Sequence, residues 1–559
     1  MINAIILLND ELDNVSDCDS YQTCKSAHTH KTNQNLFFLL SVSIPRPLFP
    51  IAGYPLIYHH IRALSEVQQV QHVFLIGKYD PKKFYHFVDD VLSEFSFKTI
   101  QYIQDDTPKN EAGVLFKYRE RILQDSPDYL FMMRYRICCS FPLHDIINFH
   151  REKERQMDIF LDRMKDNQKF MEDPENHNLA LVTAVSYSID PEEKHKNHGC
   201  FAMDSKTQEM LHYAENAQVE LSNNINCGIY FISVRLFTEF GLQAYPSDNG
   251  TSDQGFSGVD HLTNGGLNID QDNVSLSNQC FTPRELANST KSGSDFVKSY
   301  VFVQNAQFNQ IPEFRYQQYS QGLMYLNSME DATMKANMNA LKKQISLLNM
   351  NNNENITDLV LTMKDLFMPM CSKKKIFIFE MDKTKEFFKQ LNRHEEKLSC
   401  QNMYFQHYKK VCPSLIDENS EHYLEVQTIG NCYIHPTAEI HPEAVIGPNV
   451  SIGAYAKISD GCRIINSLIL EDAEIQAHTV VINSMIGWNA KVGPWCRIEG
   501  TLHLDDRSKY FHGHYNSGQK FDVSVLGVGV VVDPEVMLKN CLVMPFIKIK
   551  SNNANRILF

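Results

Sequence analysis

The sequence lacks a long apolar run, a regular cysteine framework and an excess of positive charge. Its first apolar run, residues 4–8, is followed at once by Asn9, Asp10 and Glu11, so it is too short for the core of a signal peptide. No run of 18 apolar residues occurs elsewhere, and no membrane-spanning helix is expected. The formal net charge of −14 argues against a surface for nucleic acid or for anionic membranes.

The 14 cysteines are scattered along the chain without a repeated C-x-x-C spacing. A disulfide scaffold would show a regular set of spacings, so free thiols in a reducing compartment are predicted. Because no leader segment is recognised either, the sequence indicates a soluble, cytoplasmic protein.

The chain has 559 residues, 43% of them apolar, which allows two or three domains with real cores. Residues 1–240 alternate patterns typical of strands and of helices. This alternation predicts a Rossmann-like, mainly parallel α/β sheet that binds ligands at the carboxyl ends of its strands. Strands are predicted over residues 3–8, 71–77, 98–104, 127–137 and 179–188, and helices over 55–67 and 82–95.

Residues 241–357 are rich in Asn, Gln, Ser and Asp, a composition typical of low-complexity segments. We predict a largely disordered insertion there, with one candidate helix over residues 327–349. The α/β pattern returns over residues 358–415, which include a predicted strand at 374–381 and complete the first domain and a linker.

Residues 430–559 carry an aliphatic residue at every sixth position, with one change of phase. The recurring residues are Ile434, Ile440, Ile446, Ile452, Ile458, Ile464 and Leu470, and then Ile486, Val492 and Ile498. Hexapeptide repeats of this kind predict a left-handed parallel β-helix in which the aliphatic side chains stack along the axis. The alternative, a β-meander with accidental spacing, does not explain seven consecutive matches.

Several stretches, in order along the chain, resemble mannose-1-phosphate guanylyltransferases (GDP-mannose pyrophosphorylases), and their alpha-type subunits above all. They include PRPLFPIAGYPLIYHHI (45–61), NHGCFAMDSKTQEMLHYAE (197–215) and NINCGIYFIS (224–233). The resemblance spans almost the whole chain except the first forty residues and the insertion. It implies an α/β nucleotidyltransferase domain, a left-handed β-helix, and the Mg²⁺-dependent reaction of mannose 1-phosphate with GTP to GDP-mannose and pyrophosphate.

The catalytic parts that this resemblance implies are degenerate. The family's glycine-rich phosphate loop is absent, since residues 9–40 contain no glycine. Arg46 stands where the family has a phosphate-supporting lysine, and Arg136 where it has the first of two metal-holding aspartates. Asp382 matches the second aspartate. A guanidinium cannot coordinate Mg²⁺ and repels it, so we expect an ion pair between Arg136 and this carboxylate rather than a metal site.

More of the family's sugar-nucleotide-binding residues than of its catalytic residues have a match in this sequence. Gln104 and Gly113 match positions near the guanine base, and Gly199, Glu215 and Asn226 match positions near the mannose. Structural interpretations stand beside these roles, because a glycine can serve a turn or strand packing, and an asparagine can cap a strand.

Two functions follow from these residues. In the first, the chain is a non-catalytic alpha-type regulatory subunit that senses GDP-mannose and binds the catalytic beta-type subunit in an oligomer, with the loop 501–522 reaching toward that partner. The alternative is an active guanylyltransferase that uses other metal ligands. Arg136 and the missing loop favour the first. A gene-model error over residues 9–40 is a third hypothesis, which would not restore an aspartate at position 136.

Overall fold

The computed structural model describes residues 1–8, 40, 44–105, 111–164, 180–189, 199–215, 222–239, 362–371, 375–391, 394–417, 426–501 and 522–559. The predicted insertion at 241–357, with the helix predicted within it, lies entirely outside the described residues. Nearly all of residues 9–40 and of the loop 501–522 also lie outside them. These parts of the sequence analysis stay predictions.

A nine-stranded mixed sheet forms the first part of the fold. Its strands are β1 (Ile2–Leu7), β4 (Val70–Gly77), β5 (Thr99–Gln104), β6 (Tyr129–Arg134), β8 (Val182–Ser188), β9 (Cys200–Met203), β10 (Met210–Ala214), β11 (Asn224–Ser233) and β12 (Ile376–Glu380). They lie in the order β10-β9-β11-β6-β1-β4-β5, with β8 pairing with β11 and β12. Strands β1, β4, β5 and β6 are mutually parallel, and β11 runs antiparallel to β6 and β8. Two short pairs lie beside the sheet, β2 (Pro50–Ile51) with β3 (Tyr54–Pro55) and β7 (Ile137–Cys139) with β13 (Phe388–Gln390).

Strand β1 is buried along its whole length because both faces of the sheet are covered. Ala4 and Ile6 point into one core, while Ile5 and Leu7 point into the other, as the alternation of side chains along a strand requires. A run such as INAIIL, apolar on both faces, is what a strand covered on both sides needs. The strands predicted from apolar runs are confirmed within a few residues.

The helices are α1 (Leu56–Ser65), α2 (Tyr85–Glu94), α3 (Glu111–Lys117), α4 (Arg119–Ile122), α5 (Leu143–Met164), α6 (Arg235–Glu239), α7 (Met363–Cys371), α8 (His394–Val411) and α9 (Ser414–Asp417). The helix predicted over 82–95 has a separate first turn. A 3-10 turn, Pro81–Phe84, precedes α2, and the Asp80 carboxylate accepts a hydrogen bond from the Lys82 N–H at 3.0 Å to cap it.

Three parallel sheets form the second part of the fold, and successive strands pass from one sheet to the next. The first contains β14 (Gln427–Thr428), β17 (Val445–Ile446), β20 (Arg463–Ile465), β23 (Val480–Ile482), β26 (Arg497–Glu499), β29 (Met537–Lys539) and β32 (Asn553–Ala554). The second contains β15 (Cys432–Ile434), β18 (Val450–Ile452), β21 (Leu468–Ile469), β24 (Ser484–Ile486), β27 (Ser524–Leu526), β30 (Leu542–Val543) and β33 (Ile557–Leu558). The third contains β16 (Glu439–Ile440), β19 (Lys457–Ile458), β22 (Glu474–Ile475), β25 (Lys491–Val492), β28 (Val531–Val532) and β31 (Lys548–Ile549). This arrangement is a parallel β-helix; its left-handedness stays a prediction.

Most aliphatic residues of the hexapeptide pattern form one buried cluster between the three sheets, and Ile440, which is partly exposed, packs against this cluster. Leu470 is the exception, and its prediction as an axial residue is wrong. Ile469 takes the axial position, while Leu470 packs in the core shared with the α/β domain. The reason is the corner at Asn466, which has a left-handed φ of 44° and shortens the spacing from the axial Ile464 to the axial Ile469 to five positions.

The α/β domain and the β-helix share a continuous apolar core. The Phe49 ring meets the Trp488 ring edge-on, with centroids 5.7 Å apart. Gly53 lies so close to Tyr433 that an added Cβ would stand 2.4 Å from its ring. Asn402 of α8 donates to the Asn466 side chain at 3.1 Å. Across the described residues, no helix is both long and apolar enough to cross a membrane.

Candidate functional site

The carboxyl ends of the parallel strands bring several predicted positions to one edge of the α/β sheet. Gln104 ends β5, and Arg134 ends β6. Strand β12 runs parallel to β8, so Asp382 follows it at the same edge. Asn226 lies on β11 at this edge, because β11 is antiparallel to β6 and pairs with it only from Ile229 onward. An edge of this kind is where α/β sheets bind ligands.

Arg136 is buried, with only 4% of its surface exposed. Its Nε and Nη2 donate to the Leu391 carbonyl at 2.9 and 2.5 Å, and the Leu391 N–H donates to the Arg136 carbonyl at 3.0 Å. The side chain thereby joins the segment after β6 to the segment after β13. Arg136 therefore braces the fold where the resemblance implies a metal-holding aspartate.

The ion pair predicted between Arg136 and Asp382 is not formed, because the contacts of Asp382 are local. The Asp382 carboxylate accepts from the N–H and the hydroxyl of Thr384, at 2.9 and 2.7 Å, and lies 3.6 Å from Lys385 Nζ. The hydrogen bonds from Thr384 lower the pKa of Asp382. The Asp382 carboxylate therefore stabilises the exposed turn at residues 382–385.

The residues at these two positions do not fit the Mg²⁺ site that the resemblance implies. Magnesium takes oxygen ligands, and the guanidinium of Arg136 offers only donors. In the ranges that the structure describes, no three His, Cys, Asp or Glu side chains are grouped as a metal site would require. We therefore derive no step through a metal.

Three further predicted positions lie in different surroundings. Arg46 lies in the 3-10 turn Arg46–Leu48 and is buried, with 6% of its surface exposed. Gly113 is inside helix α3, not in a loop, and is buried. Gln104 is exposed, and its carbonyl accepts a hydrogen bond from the Tyr118 hydroxyl at 3.3 Å. Of these three residues, only Gln104 is exposed enough to meet a ligand.

The structure joins two of the predicted sugar-binding residues. The Asn226 N–H donates to the Gly199 carbonyl at 2.7 Å, and a Cβ on Gly199 would lie 2.5 Å from the Tyr213 hydroxyl oxygen. The Asn226 amide donates to the hydroxyls of Tyr213 and Tyr230 at 3.2 and 2.7 Å, and its oxygen accepts from the Gly228 N–H at 2.9 Å. Both amide hydrogens are thus used internally, and Asn226 is buried, so this residue holds Gly199 and the two tyrosines in place.

Glu215, the third predicted sugar-binding residue, is half-buried just after β10. Burial first, and then the charge of Glu215, raise the pKa of Tyr213 to about 12, although Arg134 acts in the opposite direction. Tyr213 is therefore a neutral hydrogen-bonding group at physiological pH, and Glu215 supplies negative charge beside it.

Sequence reasoning missed an ion pair at the centre of this edge. Arg134 Nη2 and Glu111 Oε2 are 2.6 Å apart, and about a quarter of each side chain is exposed. Burial is the largest single influence and opposes the charge on Arg134, but the charge and hydrogen bond of Glu111 together with Tyr230 and Tyr213 raise the pKa of Arg134 well above its usual range. The available signal was an arginine at the carboxyl end of a predicted parallel strand; Glu111 gave none, since it lies 23 residues away.

Two family models match this chain. The nucleotidyl transferase model matches residues 37–171, and the model of the GMPPB C-terminal domain matches residues 428–558. The chain is 27% identical over 520 residues to a mannose-1-phosphate guanylyltransferase regulatory subunit alpha of Dictyostelium discoideum, with 93% of this chain and 94% of the relative covered. This chain is thus similar to a named alpha subunit over nearly its whole length.

Other similar proteins include a probable mannose-1-phosphate guanyltransferase of Schizosaccharomyces pombe, 28% identical over 93% of this chain and 95% of the relative. A regulatory subunit alpha-A of Danio rerio is 24% identical over 93% of this chain and 95% of the relative. A solved structure of a putative glucose-1-phosphate thymidylyltransferase from Bacillus anthracis covers 45% of this chain and 79% of its own, at 15% identity; its TM-score of 0.30 is too low for a comparison of folds.

Proposed function

We propose that this chain is a non-catalytic, alpha-type regulatory subunit of GDP-mannose pyrophosphorylase. It binds GDP-mannose at the carboxyl edge of its α/β sheet and modulates a catalytic beta-type subunit in a hetero-oligomer. The enzyme and the regulatory role come from the names of similar proteins, several of which are regulatory alpha subunits, whereas GDP-mannose and the beta-type partner come from the sequence resemblance.

The observation that carries the non-catalytic part of the proposal is the position of Arg136. Nucleotidyl transfer to a sugar phosphate needs the charge on the phosphate oxygens neutralised, and a metal commonly supplies this. Here the expected metal-holding position carries a buried guanidinium bonded to the Leu391 carbonyl. Asp382, at the second position, is turned to Thr384 and Lys385.

The binding part is supported by polar groups that persist at the same edge. Gln104 is exposed at the end of β5, Glu215 is half-buried beside Tyr213, and the buried Asn226 holds Tyr213 and Tyr230 in place. Hydrogen bonds to sugar hydroxyls and to a base edge need no metal-held triphosphate. A site that only binds can therefore survive the loss of the metal position.

Calorimetry with GDP-mannose in EDTA tests the binding part. We expect binding without Mg²⁺, and we expect Glu215→Ala to weaken it by about 1–3 kcal/mol, the scale of a lost hydrogen bond to a charged group. Glu152→Ala is the matched control, because Glu152 pairs with Arg155 on the exposed face of α5. The absence of heat with the native chain would contradict the proposed sensing role.

Reconstitution tests the regulatory part. The catalytic beta-type subunit is assayed with and without this chain while GDP-mannose is added. We expect feedback inhibition to depend on this chain, with a coupling free energy of about 1–3 kcal/mol. Equal inhibition in its absence would leave the chain without the regulatory role.

A further inference from the structure

The ion pair between Arg134 and Glu111 stands among neutral polar groups. Arg134 lies near Tyr213 and Tyr230, whose hydroxyls are both bonded to Asn226. The alkyl part of Arg134 crosses Gly228, where a Cβ would lie 2.8 Å from its Cδ, and Gly228 has a left-handed φ of 71°. A glycine thus makes room for the arginine side chain beside the predicted sugar-binding residues.

The guanidinium of Arg134 is incompletely bonded. Nη2 meets Glu111, while Nε is buried and has no hydrogen-bond partner within the described part of the chain. An unsatisfied buried donor is unfavourable, so a ligand or water acceptor beside it is favoured. The side chain is still reachable, because 23% of it is exposed. Arg136 and Arg46, at 4% and 6% exposed, are far less reachable.

We propose that Arg134 is the group that binds the diphosphate of a sugar nucleotide, and that the Glu111 carboxylate occupies its guanidinium in the ligand-free chain. A guanidinium binds carboxylate and phosphate oxygens with the same planar set of donors, so the two compete for it. Glu111 holds Nη2 and neutralises the guanidinium, so a two-point phosphate contact through both terminal nitrogens requires Glu111 to leave Arg134. This assignment rests on the proposed function and adds to it the anion-binding residue and the residue that opposes binding.

The assignment also gives α3 a role. This helix occupies the region where the resemblance implies a glycine-rich segment near the base, and it presents Glu111 in its first turn. In the ligand-free chain, the Glu111 carboxylate then occupies the place of the phosphate beside Arg134. Ligand binding would release α3 from the end of β6, because the pair joins these two elements.

Calorimetry with two probes, GDP-mannose and inorganic pyrophosphate, tests this in EDTA on the full chain. Glu111→Gln keeps the size of the side chain and removes its charge, so we expect GDP-mannose to bind about three- to tenfold more tightly. Arg134→Gln should weaken it by about tenfold or more, and Arg134→Lys by less. Glu152→Gln removes the same charge from the exposed Arg155 pair and should change nothing. Thermal unfolding of each variant checks that it folds.

The outcomes separate this inference from the proposed function. If the native chain binds GDP-mannose but Glu111→Gln leaves the affinity within twofold or weakens it, the competition between Glu111 and phosphate is wrong and the sensing function stands. If only the Glu111→Gln variant binds pyrophosphate, and no variant binds GDP-mannose, the anion site stands and the sensing function fails. If no variant binds either probe, both are wrong.

Discussion

Polar side chains make repeated contacts in the β-helix, but single contacts at the carboxyl edge of the α/β sheet. In the β-helix the same contact recurs from coil to coil: Asn466 donates to Asn483 at 2.6 Å, and Asn540 donates to Asn555 at 3.1 Å. At the sheet edge each contact occurs once, as with Arg134 and Glu111. A repeated ladder stabilises a shape, whereas single contacts can be exchanged for a ligand. We therefore expect substitutions in the β-helix to change stability, and substitutions at the edge to change binding.

The largest effect is expected inside the β-helix, from Ile446→Asp. Ile446 is fully buried between the three sheets. The substitution loses roughly 1.5–3 kcal/mol of burial and adds a desolvated carboxylate that costs several kcal/mol more. The coils around β17 should not form, which circular dichroism and thermal unfolding would detect.

Val445→Asp is the matched control, since Val445 is the neighbouring, partly exposed residue of the same strand. It should leave a folded protein. Equal losses from the two substitutions would contradict the assignment of Ile446 to the axis.

Gly53→Ala is expected to have the next largest effect, because it acts where the two regions meet. Gly53 has a φ of 90°, and an added Cβ would stand 2.4 Å from the Tyr433 ring. Overpacking costs about 1–3 kcal/mol, and a left-handed conformation about 1–2 kcal/mol more. Denaturant unfolding measures the loss.

Gly461→Ala, within the β-helix, is the matched comparison for Gly53→Ala. Gly461 also has a positive φ, of 61°, but its added Cβ would meet the half-exposed His478 side chain, which can move. Only the backbone cost of about 1–2 kcal/mol should remain. An equal or larger loss at Gly461 would mean that the contact with Tyr433 does not matter.

The buried histidines of α1 predict a smaller, pH-dependent effect. Burial lowers the pKa of His59 to about 3 and of His60 to about 4, so both are neutral in the folded chain. The unfolded chain takes up protons below pH 6.5, and the free energy of unfolding should therefore fall as the pH drops. Each histidine should contribute about 1 kcal/mol of loss between pH 6.5 and pH 5.5.

Denaturant unfolding of His59→Gln over this pH range measures the effect, and its slope should be shallower than that of the native chain. Leu64→Ala, a buried change in the same helix, should lower stability without altering the slope. An unchanged slope in His59→Gln would contradict the buried, neutral state of His59.

The two regions also differ in how far the sequence predicts them. The period of six predicts the β-helix because each axial residue depends on its own coil, and only the shortened corner at Asn466 displaced one residue. The strands of the α/β sheet were predictable from apolar runs for the same local reason. The contacts of the edge were not, because Arg136 and Leu391 are 255 residues apart in the sequence. An alternating pattern shows which residues are buried, but not which carbonyl an arginine meets.

Nucleotidyl transfer by the purified chain alone is the most direct test of the central claim. Mannose 1-phosphate, GTP and Mg²⁺ are supplied, and GDP-mannose and pyrophosphate are measured, with the beta-type subunit as the positive control. We predict no product above background, because Arg136 is committed to Leu391 and Asp382 to its own turn. Several turnovers per chain, in protein free of the catalytic subunit, would contradict the account and establish the chain as a guanylyltransferase.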